Sequence, residues 1–226
     1  KCTNLQLTSI MTKQASNYFL LLMGSIFMCS TLFLSCNVST PDSRNKQVFR
    51  YNEHKNIGSL DPAFAKDNAD ISAVNQLFNG LVQMDSVLNV IPSIASSWHI
   101  SEDAKTYTFQ LRKDVYFHTH QLFGTTQTRT VTADDFVFSL DRLKSPELAA
   151  PGAWVLQNVE HYKAIDTHRF QITLKTPFPA FLGLLTMKYC SVVPKEIVNH
   201  YGADFRSNPI GTGPFKFKRW EENIKL

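Results

Sequence analysis

Three stretches combine residue types and spacings that chemistry uses. The first is Gly211-Thr212-Gly213-Pro214, within NPIGTGPFKFKRW at 208–220. A phosphate-cradling loop places Lys and then Ser or Thr directly after its second glycine. Here Pro214 and Phe215 follow instead. A dinucleotide fingerprint needs a third glycine and a helix whose N–H groups face the pyrophosphate. Pro214 lacks an N–H, and the residues after it read as a strand. The stretch is therefore read as a tight corner, with glycines admitting unusual φ and proline fixing the exit. The second stretch is His118-x-His120. On a strand this spacing points both rings to one face, where His99, His161 or Asp135 could complete a zinc site. Neither H-E-x-x-H nor C-x-x-C accompanies the pair, so the spacing supports two histidines at a strand end. A metal-dependent hydrolase outside the cytoplasm stays open as an alternative of another class. The third stretch is Asp134-Asp135. Adjacent helical residues point in different directions, and acids are favoured in a first turn anyway. The sequence has no G-x-S-x-G nucleophile motif, and the reading is a protein that is not an enzyme.

The elements that must position these residues mix short strands and helices without a strict β-α-β rhythm, an α/β or α+β pattern. Residues 47–53 (QVFRYNE) read as a strand, and 54–68 as a long corner punctuated by Gly58 and Pro62. Residues 68–84 read as a helix. Its stripe is Ile71, Val74, Leu77, Phe78 and Leu81, and its cap is Asn68 or Asp70. Residues 91–112 read as a hairpin turning at SEDAK, with Tyr107, Phe109 and Leu111 inward. A helix starts at Thr132 with Phe136, Leu140 and Leu143 on its apolar side, and Pro146 stops it. Strands are expected at 166–177, 190–194 and 215–220. Short helices are expected after Pro179 and after Pro194.

The first 35 residues stand apart. Tyr18–Ser35 carries no charge, Lys13 precedes it, and a polar, turn-rich tract follows Cys36. A basic residue before an apolar run is the export-signal pattern, and Ser35-Cys36 at its end is similar to a bacterial lipoprotein signal with Cys36 as the lipidated residue. A plain membrane-spanning anchor is the alternative, since the run approaches the roughly 17–25 residues a span needs. The boundaries expected are a signal at 1–35, a polar tether at 36–47 and a folded part at 48–226. Of four cysteines only Cys190 falls in the folded part, so it is read as a small buried hydrophobe without a disulfide. Net charge is +4, and Lys1 and Lys13 account for half of it. That leaves no electrostatic footprint for nucleic acid.

Taken in order, SLDP at 59–62, LFNGLV, IPSIASSWHISEDAKTYTFQLRKDVYFH, VTADDFVFSLDRL, ITLKTPFPAFLGLL, VVPKEIV and NPIGTGPFKFKRW resemble the family 5 extracellular solute-binding proteins of ABC importers. That family includes oligopeptide, dipeptide and nickel carriers. The resemblance runs from about Val48 to Trp220. It implies a two-lobe fold of the periplasmic-binding-protein kind, of which only the N-terminal lobe region is present here. It further implies a peptide ligand, or a nickel chelate or other small solute, held between the lobes. The implied partners are permease subunits, the ATPase behind them, and a membrane reached by the lipid anchor. No cofactor is implied. On this resemblance the cleft is bordered by Ala65, Lys66, Asp67 and Asn68 after the SLDP corner, and by Thr212. The residues that grip peptide termini are expected outside this chain. One departure is the insertion QLFGTTQTRTV at 121–131, which lengthens a loop and puts the local hairpin in doubt.

Overall fold

Alternating apolar residues on two neighbouring strands set the centre of the protein. In the computed structural model, which describes residues 49–222 and 224–226, strands β1 (Val82–Met84) and β2 (Val90–Pro92) pair antiparallel. A second, four-stranded antiparallel sheet has the order β3-β4-β6-β5. Its strands are β3 (Ala95–Ile100), β4 (Thr106–Leu111), β5 (Val159–Asp166) and β6 (Arg169–Leu174). Tyr107, Phe109 and Leu111 of β4 are buried beside Phe170, Ile172 and Leu174 of β6, with Phe109 opposite Phe170. The period-two pattern puts both sets on one face. The signal segment, the tether and Cys36 lie outside the described residues.

Among the described residues four α-helices accompany the sheets: α1 (Asn68–Leu77), α2 (Ala133–Lys144), α3 (Phe181–Leu184) and α4 (Lys195–Tyr201). Helix α2 matches the expected pattern. Phe136, Leu140 and Leu143 are buried, and the Phe136 and Phe170 rings lie 5.6 Å apart, so α2 covers the sheet's apolar face. Asp135 takes hydrogen bonds from Thr132 N (2.9 Å) and Thr132 Oγ1 (3.0 Å), closing the helix start.

Several expectations are corrected. Helix α1 ends at Leu77, well short of Met84, because Phe78 turns extended and the next carbonyls bond elsewhere. Asn79 O accepts from Val192 N, Gly80 O from Ile94 N, and Leu81 O from Ala95 N. The cap is Asp67, which accepts from Asp70 N. The buried stripe is Ala69, Asp70, Ala73, Val74 and Leu77, and Ile71 is 37% exposed on its flank. Residues 49–53 and 215–220 form no strand, since no neighbouring strand among the described residues offers them a ladder. Residues 188–190 make a 3₁₀ turn, and Ser191–Pro194 runs extended without a ladder.

Two buried ion pairs fasten loops to α2. Asp61 of SLDP caps the 3₁₀ turn Pro62–Phe64 through Ala63 N (3.0 Å) and pairs bidentately with Arg142, whose Nη1 lies 2.9 Å from Oδ1. Arg129 reaches both oxygens of Asp135 (2.7 and 2.8 Å) and both of Glu196 on α4 (2.7 Å each). Its guanidinium stacks over Phe117 at 4.9 Å and Phe123 at 5.5 Å. Burial opposes the Arg129 charge, but the bonds to Asp135 and Glu196 outweigh it and raise its pKa. The insertion is thereby anchored. Its neck stays paired through Phe117 N to Arg129 O (3.0 Å) and Val131 N to Val115 O (2.9 Å), so the local hairpin survives the added residues.

Arg129→Ala would leave Asp135, only 5% exposed, as a buried charge without its cation. The expected loss is roughly 3–5 kcal/mol, read as a lower urea midpoint. Glu196→Ala, at the exposed side of the same network, should cost about 1 kcal/mol or less.

Candidate functional site

The Gly211–Gly213 corner lies across the open end of α1. Gly213 N donates to Leu77 O (2.9 Å) and Phe215 N to Gln76 O (3.0 Å). These are carbonyls a helix cannot satisfy internally. A Cβ on Gly211 would fall 2.0 Å from Leu77 O, and one on Gly213 would fall 2.4 Å from Gln76 O. Neither glycine has a positive φ. Close backbone approach, not unusual torsion, is what demands glycine here, which corrects the reading from sequence.

On its other side the corner is held by His118. His118 N donates to Gly211 O and its Nε2 to Gly213 O, both at 2.8 Å. That bond places the ring proton on Nε2 and leaves Nδ1 buried without a partner. His120 turns elsewhere. Its Nδ1 accepts from Leu122 N (3.2 Å), so its Nε2 donates to Tyr201 OH (3.1 Å). The two rings do not converge. Among the described residues no group of three or more His, Cys, Asp or Glu side chains is placed to hold a metal ion.

Thr212 points its hydroxyl at Asn79 Oδ1 (3.0 Å) and opens on a groove of about 340 Å³. Gln83, Ser93, Arg112 and Tyr116 line it as well. Arg112 is held by both oxygens of Asp114, at 3.0 Å each. The groove offers amide, hydroxyl and guanidinium groups, chemistry suited to holding a polar molecule. Asn79, Gln83, Ser93 and Arg112 were not foreseen, since nothing in their spacing announces them and tertiary folding alone assembles them around Thr212.

The other foreseen residues stand at the opposite end of α1, roughly 15 Å away for ten residues at 1.5 Å each. Ala65 is buried. Lys66 and Asn68 are exposed. Asp67 caps α1 and pairs with Lys55 at 2.7 Å, and that bond holds its carboxylate below the usual range. The SLDP corner is fixed from beneath by buried Asp70, whose Oδ1 accepts from Gly58 N at 2.7 Å. Cys36 lies outside the described residues. Cys190 is buried and unpaired, and burial pushes its thiol up to about 12.

With this geometry in hand, the comparisons define a class. Residues 89–226 match the model for bacterial extracellular solute-binding proteins, family 5. This chain belongs to that family. The dipeptide-binding protein of Escherichia coli is 30% identical over 208 residues, covering 84% of this chain and 36% of its own length. The substrate-binding domain of an oligopeptide ABC transporter from Bacillus anthracis superposes with a TM-score of 0.72 at 28% identity, over 79% of this chain and 36% of that one. NikZ from Campylobacter jejuni, in complex with Ni(L-His), gives 0.63 at 31% identity, over 75% and 32%. The chain thus spans 36% of the dipeptide-binding relative's length, and the fold is that of periplasmic binding proteins. No described helix is long and apolar enough to cross a membrane.

Burial lowers the His118 pKa, the bond to Gly213 opposes this, and Lys216 adds to it. His120 is lowered by burial first, then by His200 and Lys216. The unfolded chain therefore binds these protons more readily than the folded one. Stability from the neutral rings is complete above the ordinary value of about 6.5 and is lost as pH falls through it towards the folded pKa. Thermal melts between about pH 8 and about pH 5 should show this fall. His118→Gln keeps a donor for Gly213 O and should make the fall shallower. An unchanged slope would remove His118 from the account.

Proposed function

We propose that this chain contributes the N-terminal lobe region of a substrate-binding lipoprotein of an ABC importer. Residues 1–35 act as its export signal, Cys36 carries the lipid, 36–47 form the tether and 48–226 fold. The protein takes peptides between two lobes and delivers them to permease subunits driven by an ATPase. The observation that carries this reading is the family match across 89–226, with a dipeptide-binding relative aligned over most of the chain. Ala65, Lys66, Asp67 and Asn68 border the cleft at one end of α1, and Thr212 borders it at the other. Closure follows because a ligand that touches both lobes favours the state in which both are near. An extended peptide pairs by its backbone, which tolerates varied side chains. The likeness to NikZ with bound Ni(L-His) favours a second reading, a carrier of a nickel chelate or other small solute.

The full-length protein, purified from its host without denaturation, should release short peptides identifiable by mass spectrometry. Stoichiometric nickel with a small chelator, and no peptide, would move the conclusion to the second reading. Cys36→Ser should abolish incorporation of a labelled fatty acid and shift the protein from the detergent to the aqueous phase. Persistence of the label in that variant would refute lipidation at Cys36.

A further inference from the structure

Six polar residues line the groove of about 340 Å³ beside the glycine corner: Asn79, Gln83, Ser93, Arg112, Asp114 and Thr212. They come from the end of α1, from β1, from the link between β2 and β3, from the chain after β4 and from the corner itself. Much of their hydrogen-bonding capacity is unused within the protein. Thr212 Oγ1 donates to Asn79 Oδ1 at 3.0 Å, which leaves the Asn79 amide hydrogens to donate and the Thr212 oxygen to accept. Among the described residues no hydrogen bond engages the side chain of Gln83 or Ser93, or the hydroxyl of Tyr116, which also lines the groove. Tyr116 is 54% exposed.

This lining disfavours three classes of ligand. Arg112 is the one cation on it and Asp114 the one anion, and they hold each other through two bonds of 3.0 Å. The lining thus carries no net charge. An anion drawn to Arg112 meets the Asp114 carboxylate, and a cation drawn to Asp114 meets the guanidinium. An apolar ligand would desolvate the polar groups and return no hydrogen bonds. Of the apolar residues on the lining Ile94 is fully buried, so Pro92, Val115 and Tyr116 supply its carbon surface. What matches is a neutral ligand with many polar groups in a small volume. A hydroxyl both donates and accepts. A polyol therefore answers amide, hydroxyl, carboxylate and guanidinium neighbours with one kind of group. A peptide of equal size offers one backbone donor and one acceptor per residue, and its side chains find little apolar wall here. The volume lies near the lower end of the roughly 300–1,000 Å³ of small-ligand sites.

We propose that this groove binds a neutral saccharide of one or two rings, with Tyr116 against the C–H face of a ring and Asn79, Gln83 and Ser93 bonded to its hydroxyls. An aromatic ring with a polar tip suits a ligand that has both kinds of surface. The inference goes beyond the peptide reading and does not rest on it, since it assigns a second class of solute to the end of α1 away from Ala65–Asn68. A saccharide held by these residues also links the segments that meet at the corner, where Gly213 N and Phe215 N cap α1.

The test uses the full-length protein, stripped of ligand, as wild type, Gln83→Ala and Tyr116→Ala. Both side chains are exposed, so the ligand-free variants should melt close to the wild type. Each protein is titrated calorimetrically with a panel of neutral mono- and disaccharides, with the matching uronic acids and amino sugars, and with a pool of short peptides. At least one neutral sugar should bind the wild type, raise its melting temperature by a few degrees at saturation and slow hydrogen exchange at Gly213 and Phe215. Each variant should bind that sugar about tenfold more weakly or worse. Binding of no neutral sugar would overturn the inference. So would tighter binding of the charged analogues, or a sugar affinity equal in all three proteins. Peptide binding is read separately: its absence beside sugar binding would defeat the peptide reading and leave the saccharide site standing.

Discussion

A glycine backbone lying directly on the carbonyl end of α1 is the constraint on which the rest depends. Leu77 O and Gln76 O are satisfied by Gly213 N and Phe215 N. Only residues without a Cβ permit the approach. Once α1 is stopped there, Asn79, Gly80 and Leu81 are free to bond Val192, Ile94 and Ala95. Those bonds draw the segment before α4 and the first strands of both sheets to one point. The corner thus joins segments more than a hundred residues apart, and Thr212 is carried to the groove as a consequence.

The ion pairs serve the same end at a distance. Asp61–Arg142 ties the SLDP corner to α2, and Arg129 ties the insertion to α2 and α4. Each carboxylate is answered by a planar guanidinium with two hydrogen bonds, the geometry that makes burial of such charges tolerable. The polar groove around Thr212 thus lies at the C-terminal end of α1, and the SLDP corner at its start.

Local signals were legible wherever local physics decided the outcome. Thr132, the acids after it and the Phe136-Leu140-Leu143 spacing announce α2. The alternation at Tyr107–Leu111 and Phe170–Leu174 announces the central strands. What stayed hidden was decided by distant partners. The end of α1 at Leu77 depends on Gly213, which lies far along the chain. Ile71 was misplaced because the helix face that packs is the one carrying the small residues Ala69 and Ala73. Residues 215–220 alternate as a strand should, yet no described neighbour pairs with them. The glycine corner was recognised, but its reason was not, because a torsional role and a close approach look the same in sequence. The ordered set of motifs carried the family, and single spacings carried little of the site. Asn79 and Arg112 lie inside stretches that carried the family, LFNGLV and the one at 91–118, but nothing there marked them as lining a groove.

The most direct test is the stability of Gly213→Ala against Gly183→Ala, measured by urea denaturation with amide hydrogen exchange. A Cβ at Gly183 meets only Met84 Cε at 3.9 Å, an ordinary contact, so that variant controls for the loss of glycine itself. Gly213→Ala should lose about 1–3 kcal/mol or more. Faster exchange should follow at Phe215, His118, Val192 and Ile94, the amides that the corner organises. Gly183→Ala should stay close to wild type. A Gly213→Ala protein as stable as wild type, with those amides equally protected, would contradict the claim that this contact holds the site together.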